Sequence, residues 1–318
     1  MTGAPVVTIV IPNYNGAHLL ERNLPSVFAC IHADGLPAEV IVVDDGSSDR
    51  SIQVVREQFP QVRLIVHSEN RGFAEAIWTG VEAAGTALLF LLNSDVELKP
   101  GCLARLLPYF DLPDTFAVNP LILEEDGTVN RHSYNRRSFR KGNLKAIPWE
   151  IEQATAWRRE RRLPVLYTSG GSMMVRRAMF VALNGFHPIF KPFYGEDYDL
   201  GLRAWRHGWQ SYFEPGASAI HQSRGSIKDH VKRDYVKQIR RRNKYLLEWI
   251  HFPLARLWLT VIPLSLWQLL GELLLLDKVN LRGFAGALCR LPDALAARHG
   301  LNKKERLGFS EILRQTRI

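Results

Sequence analysis

Carboxylates at three points of the chain are spaced for chemistry. In Tyr194-Gly-Glu-Asp-Tyr-Asp199, three acids fall within four positions behind a glycine. Like charges held this close and partly desolvated raise one another's pKa toward the range of a general base. The plainer alternative is a solvated acidic helix start, favoured by the helix dipole. In Asp44-Asp-Gly-Ser-Ser-Asp49, two adjacent carboxylates close an apolar run and need donors or a cation to stand together. Gly46 permits a tight turn, and Ser47 or Ser48 can cap a following helix. A carboxylate facing a sheet crevice can also accept from a base or a ribose hydroxyl. Asn93-Ser-Asp95 follows another apolar run. A carboxylate beside a diphosphate works through a hard divalent cation with oxygen ligands, Mg2+ or Mn2+. Taken alone, an Asn-x-Asp turn is common and has a purely structural explanation.

These turns fall where short strands should end. Val7–Ile11, Glu39–Val43, Val62–Val66 and Ala87–Leu92 are β-branched or apolar runs. Helix-length segments separate them, at His18–Ala33, Asp49–Phe59 and Gly72–Ala84. The alternation predicts βαβ units, an α/β fold with a mostly parallel sheet flanked by helices. Ligands of such sheets bind beyond the carboxyl ends of the strands. Four polar turns lie there: Pro12-Asn-Tyr-Asn-Gly16, Asp44–Asp49, His67-Ser-Glu-Asn-Arg-Gly72 and Asn93–Asp95.

From about residue 119 the alternation fades. Residues 124–162 are polar and basic, which predicts an insertion or mobile loop, partly helical around 149–160. Leu166–Val175 reads as a strand with a glycine break, followed by a short helix, the acidic cluster, a helix through Arg206 and a strand near 211–213. Residues 228–250 read as one helix with a strongly basic face. Beyond them, Leu257–Leu276 is the most apolar stretch of the chain.

Composition narrows the classes. The chain has 318 residues, 46% of them hydrophobic, and a net charge of +9. That suits one large domain, or a catalytic domain with an appendage, and excludes a disordered chain. Three scattered cysteines exclude a disulfide scaffold and point to a reducing compartment. The first residues lack a basic and an apolar signal region, so no cleaved signal peptide is expected.

Taken in order, six motifs resemble family 2 glycosyltransferases, in particular the bacterial rhamnosyltransferase-like branch that builds surface polysaccharides. They are Val7-Thr-Ile-Val-Ile-Pro-Asn-Tyr-Asn-Gly16, Val42-Val-Asp-Asp-Gly-Ser-Ser-Asp49, Asn70-Arg-Gly-Phe-Ala74, Leu91-Leu-Asn-Ser-Asp-Val96, Ser169-Gly-Gly-Ser-Met-Met-Val-Arg-Arg177 and Gly195-Glu-Asp-Tyr-Asp-Leu-Gly-Leu-Arg203. The resemblance implies a GT-A fold, a Rossmann-like nucleotide-binding sheet, over roughly residues 6–250. It also implies a nucleotide-sugar donor (dTDP- or UDP-sugar, dTDP-rhamnose among them), Mg2+ or Mn2+, inversion of the anomeric centre and a glycan or lipid-linked acceptor. By that resemblance Pro12, Asn13, Tyr14, Asn15, Asp44 and Asp45 hold the base and ribose. Asn70, Arg71 and Gly72 close over the nucleotide, with Asn93 and Ser94 beside it. Asp95 binds the metal, and His221, in Ile220-His-Gln-Ser-Arg-Gly-Ser226, matches a family histidine near the metal or diphosphate. Gly170 and Gly171 leave room for donor sugar or acceptor, and Asp197, with Glu196, sits at the acceptor hydroxyl as base. Arg203, Arg224 or Lys228 would add charge at the diphosphate. Two positions depart from the family pattern. Its metal motif usually reads Asp-x-Asp, where this chain has Asn93, and it favours Asn at the position of Trp78.

The last third raises a separate question. Lys232, Arg233, Lys237, Arg240, Arg241, Arg242 and Lys244 crowd one segment just before the apolar stretch. No zinc pattern or RNA-binding motif supports a nucleic-acid partner. A basic helix abutting an apolar one fits an anionic membrane surface on the cytoplasmic side. Residues 257–276 are long enough to cross about 30 Å of hydrocarbon, yet Pro263, Gln268 and Glu272 interrupt them. An in-plane membrane helix, a true span and a homo-oligomer interface are the three readings. The expected division is a catalytic domain at 1–250 and a helical, membrane-associating extension at 251–318. Among rivals, a sugar-nucleotide pyrophosphorylase would want a Gly-rich basic loop after the first strand, which Pro12–Gly16 is not. A dehydrogenase would want G-x-G-x-x-G. A catalytically inactive membrane scaffold is the non-enzyme alternative.

Overall fold

The computed structural model describes residues 6–130, 135–140, 143–148, 150–159, 161–222, 232–302 and 305–316. Arg224, Lys228 and the first turn of the expected basic helix lie outside the described residues. The N-terminal half is the βαβ succession that its apolar runs dictate. Strands β1 (Val7–Asn13), β2 (Ala38–Asp44), β3 (Arg63–Val66) and β4 (Leu88–Leu92) lie parallel in the order β3-β2-β1-β4. Helices α1 (Ala17–Asp34), α2 (Ser51–Gln58) and α3 (Phe73–Ala83) make the crossovers.

Every residue of β1 is buried, because helices cover both faces of the sheet. Val7, Ile9 and Ile11 pack on one face with Leu20, Leu24 and Val27 of α1. Val10 packs on the other with Ile77 and Val81 of α3. This period of two is the reason a continuous apolar run works as a central strand.

Beyond β4 the sheet turns mixed. After β5 (Val96–Leu98) and α4 (Cys102–Leu106), β6 (Thr115–Glu124) runs out to the hairpin β7 (Asn135–Arg140)–β8 (Asn143–Pro148). Helix α5 (Ile151–Arg158) and β9 (Leu163–Pro164) lead to β10 (Ser172–Arg176), which inserts antiparallel between β4 and β6. After α6 (Arg177–Ala182) and α7 (Glu196–Arg206), β11 (Gln210–His221) pairs parallel with β6 and antiparallel with β5. The expected strand over 166–175 is therefore a strand only from Ser172, and the expected loop at 124–162 contains a hairpin. The strand expected near 211–213 extends to His221, which carries that histidine to the strand end.

The chain then forms a basic helix, Arg233–His251, an apolar helix, Leu254–Leu274, and helices Lys278–Leu288, Leu291–Asn302 and Phe309–Gln315. The composition changes at 250/251, but the packing is continuous. Phe252, Leu257, Val261, Phe309, Ile312 and Leu313 share one buried cluster with Leu166, Tyr167, Leu202 and Trp205. Arg206 adds a hydrogen bond to the His251 carbonyl and an ion pair with Glu305.

Candidate active site

Two turns at the carboxyl edge of the sheet are stitched to each other. The buried Asp44 carboxylate accepts from Asn13 Nδ2 at 3.0 Å and from the Ser47 N–H at 2.9 Å. Asn15, with φ of 51°, donates its N–H to Ser47 Oγ at 2.8 Å and accepts at Oδ1 from the Ser48 N–H at 2.8 Å. Tyr14 stands exposed on the crest between Asn13 and Asn15. Asp45 reaches the next turn. Its carboxylate accepts from His67 Nδ1 at 2.7 Å and from the N–H groups of Arg71 at 3.0 Å and Gly72 at 2.7 Å. Gly72 has φ of 94°, a conformation a side chain would strain, and it leads directly into α3. The sequence reading set Asp44 and Asp45 against base and ribose. The structure gives both carboxylates protein donors, so they organise the turns, while Tyr14, Asn70 and Arg71 present the exposed surface.

The Asn93-Ser94-Asp95 turn closes β4. Asp95 is buried, its Oδ1 has no hydrogen-bond partner among the described residues, and His221 Nε2 lies 3.5 Å from its Oδ2. Burial raises the Asp95 pKa, and the neighbouring His221 lowers it. The Asn93 Oδ1 is likewise buried and unpartnered. Orphaned hard oxygens beside an imidazole fit a divalent cation. No group of three His, Cys, Asp or Glu side chains is placed for a metal among the described residues. A cation here would take Asp95, His221 and oxygens of its ligand, the habit of Mg2+ with phosphates.

Asn23 and Gln222 hold this turn and were not picked out from the sequence. Asn23 Nδ2 donates to the Ser94 carbonyl at 2.8 Å, Gln222 Nε2 donates to Asn23 Oδ1 at 2.7 Å, and the Gln222 N–H donates to the Asp95 carbonyl at 2.9 Å. A signal existed: Asn23 interrupts the apolar stripe Leu20, Leu24, Val27 on the buried face of α1.

The acidic cluster forms the first turn of α7. Glu196 is pushed up to about 8 by burial and then by the charge of Asp197. Asp197 is pushed up to about 6 by burial, against the pull of the Tyr198 N–H, which donates to its Oδ1 at 2.8 Å. Asp199 behaves oppositely. Burial would raise its pKa, but Arg203 Nε at 2.7 Å and His251 Nε2 at 2.9 Å hold it well below the usual carboxylate range. One helix turn thus carries two carboxyls of raised pKa and one carboxylate fixed in the scaffold.

The glycine pair brings the two ends together. Gly171 accepts from the Asn93 N–H at 2.8 Å, and a Cβ on Gly171 would lie 2.5 Å from Asn93 Nδ2. A Cβ on its neighbour Gly170 would lie 3.8 Å from the Asp197 Cβ and 3.0 Å from the Phe186 ring. Two residues of backbone therefore separate the Asn93–Asp95 turn from Asp197.

One expected residue, Arg203, and the departing Trp78 both point elsewhere. Arg203 is buried and donates to Asp199 and to the carbonyls of Leu183 at 2.6 Å and Gly185 at 2.8 Å. It secures α7 and does not face the site. Trp78 stacks on Phe180 and touches the Gly185 turn, on the core side of α3.

A mostly parallel sheet whose strand-end turns meet a carboxylate-bearing helix is the architecture of a GT-A-like glycosyltransferase. The family model for glycosyl transferase family 2 matches residues 8–183, and the chain belongs to that family. It is 31% identical over 240 residues to the N-acetylglucosaminyl-diphospho-decaprenol L-rhamnosyltransferase of Mycobacterium tuberculosis, covering 68% of this chain and 76% of that one. It is 29% identical to the succinoglycan biosynthesis protein ExoO of Rhizobium meliloti, covering 93% and 84%. GalNAc-T7, solved with UDP, GalNAc and Mn2+, shares the fold at a TM-score of 0.59 and 18% identity, over 80% of this chain and 49% of that one. The mannosyltransferase PcManGT of Pyrobaculum calidifontis, solved with GDP-Man and Mn2+, does so at 0.53 and 18%, over 96% and 77%.

Proposed function

We propose that this glycosyltransferase moves a sugar from a dTDP- or UDP-sugar, dTDP-rhamnose foremost, to a lipid-linked glycan acceptor, with inversion. The observation that carries the reading is the glycine pair, which sets Asp197 two residues from the Asn93–Asp95 turn. The exposed Tyr14 and the Asn70–Gly72 loop receive the nucleoside, and Asp95 with His221 holds a Mg2+ or Mn2+. When bound, that cation neutralises charge on the leaving diphosphate.

Asp197 takes the proton of the acceptor hydroxyl, whose oxygen bonds to the anomeric carbon. The bond from that carbon to the diphosphate oxygen breaks, and the nucleoside diphosphate leaves with the electron pair. A single displacement needs no carboxylate nucleophile, and Glu196, protonated at neutral pH, is suited to hydrogen-bond a sugar hydroxyl. The mycobacterial relative's name specifies a diphospho-decaprenol acceptor, which accords with an enzyme working at the inner face of the cell membrane.

The most apolar 18-residue stretch of the helix Leu254–Leu274 has a mean hydropathy of 1.5, with 17% of it buried. Leu257, Val261 and the Glu272–Arg241 pair bind it to the catalytic body, which favours an in-plane seat over a span. Thermal shift with nucleoside diphosphates, with and without Mn2+, tests the donor assignment. Stabilisation by uridine or thymidine diphosphate only with the metal supports it, and none with any nucleotide overturns it.

A further inference from the structure

The basic helix Arg233–His251 spends part of its charge inside the protein. Arg241 pairs with Glu272, and Arg242 donates to the Lys191 carbonyl. What remains is a stripe at Arg233, Lys237 and Arg240, spaced i, i+4 and i+7 on one exposed helix face. Arg233 and Arg240 meet no carboxylate among the described residues. Among the same residues Lys237 meets only Asp277, at 3.3 Å, in an exposed pair of the kind that contributes little.

Each end of the stripe touches something informative. Asp277 directly follows Leu273, Leu274, Leu275 and Leu276, all exposed, with Leu275 at 82%. Arg240 lies over the ring of Tyr194, 4.3 Å from its centroid. Tyr194 stands two residues before Glu196, in a loop pinned to the same helix. Asn243 Nδ2 lies 3.0 Å from the Phe193 carbonyl and 2.6 Å from that of Tyr194. Phe193 bridges Tyr194 at 5.0 Å and the exposed Tyr235 at 6.3 Å between ring centroids. From the leucines to the catalytic pair the surface therefore runs apolar, then cationic, then aromatic. Lys237 and Arg240 are three residues apart, about 4.5 Å along the axis.

That order matches the order of groups in a prenyl-diphosphate-linked sugar. We propose that Arg233, Lys237 and Arg240, with Phe193, Tyr194 and Tyr235, form the acceptor's docking site. The cations hold the diphosphate, the rings take the sugar and the exposed leucines lie against the prenyl chain in the bilayer. The proposal rests on the glycosyl-transfer reading and adds to it the residues that hold the acceptor and the path it takes to the catalytic pair.

The test is equilibrium binding of farnesyl diphosphate, farnesol and inorganic pyrophosphate to the full chain in phosphatidylcholine nanodiscs, with the donor site saturated by uridine or thymidine diphosphate and Mn2+. Wild type should bind farnesyl diphosphate about tenfold or more tighter than either fragment. The double variant Lys237→Glu, Arg240→Glu should lose that preference and keep its metal-dependent nucleotide binding, which also reports an intact fold. Equal farnesyl diphosphate binding by variant and wild type overturns the site, as does displacement of the probe by the nucleotide. Failure of wild type to bind any nucleoside diphosphate instead overturns the glycosyl-transfer reading, and the preference for farnesyl diphosphate is scored independently of it.

Discussion

The pH dependence of transfer should name the base. A carboxylate accepts the acceptor's proton only when ionised, and Asp197 is pushed up to about 6. At pH 7 roughly nine-tenths of it is ionised, at pH 5 roughly one-tenth, so kcat should fall about tenfold per unit below that midpoint. Glu196, pushed up to about 8, stays protonated throughout this limb, so Glu196→Gln should leave it near 6. Asp197→Asn should abolish the limb and lower kcat by roughly 10²–10⁴-fold while nucleotide binding persists. The assay is single-turnover transfer with saturating donor from pH 4.5 to 9 at constant ionic strength. A wild-type limb near 8 that Glu196→Gln removes would make Glu196 the base, and full activity in Asp197→Asn would refute the mechanism. Stability carries the same signature with a definite sign. The folded state holds these two protons more tightly than the unfolded chain, so stability should fall as pH rises from about 4 to 8, less steeply in Asp197→Asn.

Three further outcomes follow from the geometry. Chelation should abolish transfer, and Asp95→Ala should weaken nucleoside diphosphate binding chiefly when Mn2+ is present, by calorimetry; full activity in EDTA would contradict this. Truncation after residue 250 should unfold the protein, because it uncovers Leu166, Tyr167, Leu202 and Trp205. At roughly 1.5–3 kcal/mol each the loss rivals a typical domain's whole stability of about 5–15 kcal/mol, and a cooperative melt of the truncated chain would contradict it. The full chain should float with anionic liposomes at both low and high salt, since apolar burial is not screened. Trp258→Glu, Trp267→Glu and Leu275→Glu together should release it, their side chains being exposed at 67%, 75% and 82%.

The first half of the fold was legible because a parallel strand buried on both faces must be apolar throughout, as β1 and β4 are. The hairpin β7–β8 was not, since β7 is almost wholly polar and the short apolar alternation of β8, Leu144 and Ala146 about Lys145, is too brief to mark a strand. Asp95, His221, Gly170, Gly171 and Asp197 were legible as motifs, and the structure brings them to one edge of the sheet. Arg203 misled because a charged residue near an acidic cluster looks like ligand chemistry. Its partners include the carbonyls of Leu183 and Gly185, which no side-chain pattern reveals. Within the basic helix, Arg241 and Arg242 misled in the same way: Arg241 meets Glu272 across 31 positions, a pairing fixed only by tertiary packing. The turns at Asp44 and Asp45 were placed correctly at the sheet edge, but beside Asn13 and His67 their donors are the N–H groups of Ser47, Arg71 and Gly72, and backbone groups leave no mark in a sequence.

The most direct test is the stereochemistry of the product. With whichever nucleotide sugar and prenyl-diphosphate acceptor the full chain turns over, proton NMR of the new linkage reads the anomeric configuration. The account requires the configuration opposite to that of the donor, formed by wild type and lost with Asp197→Asn. A product that retains the donor's configuration would contradict it.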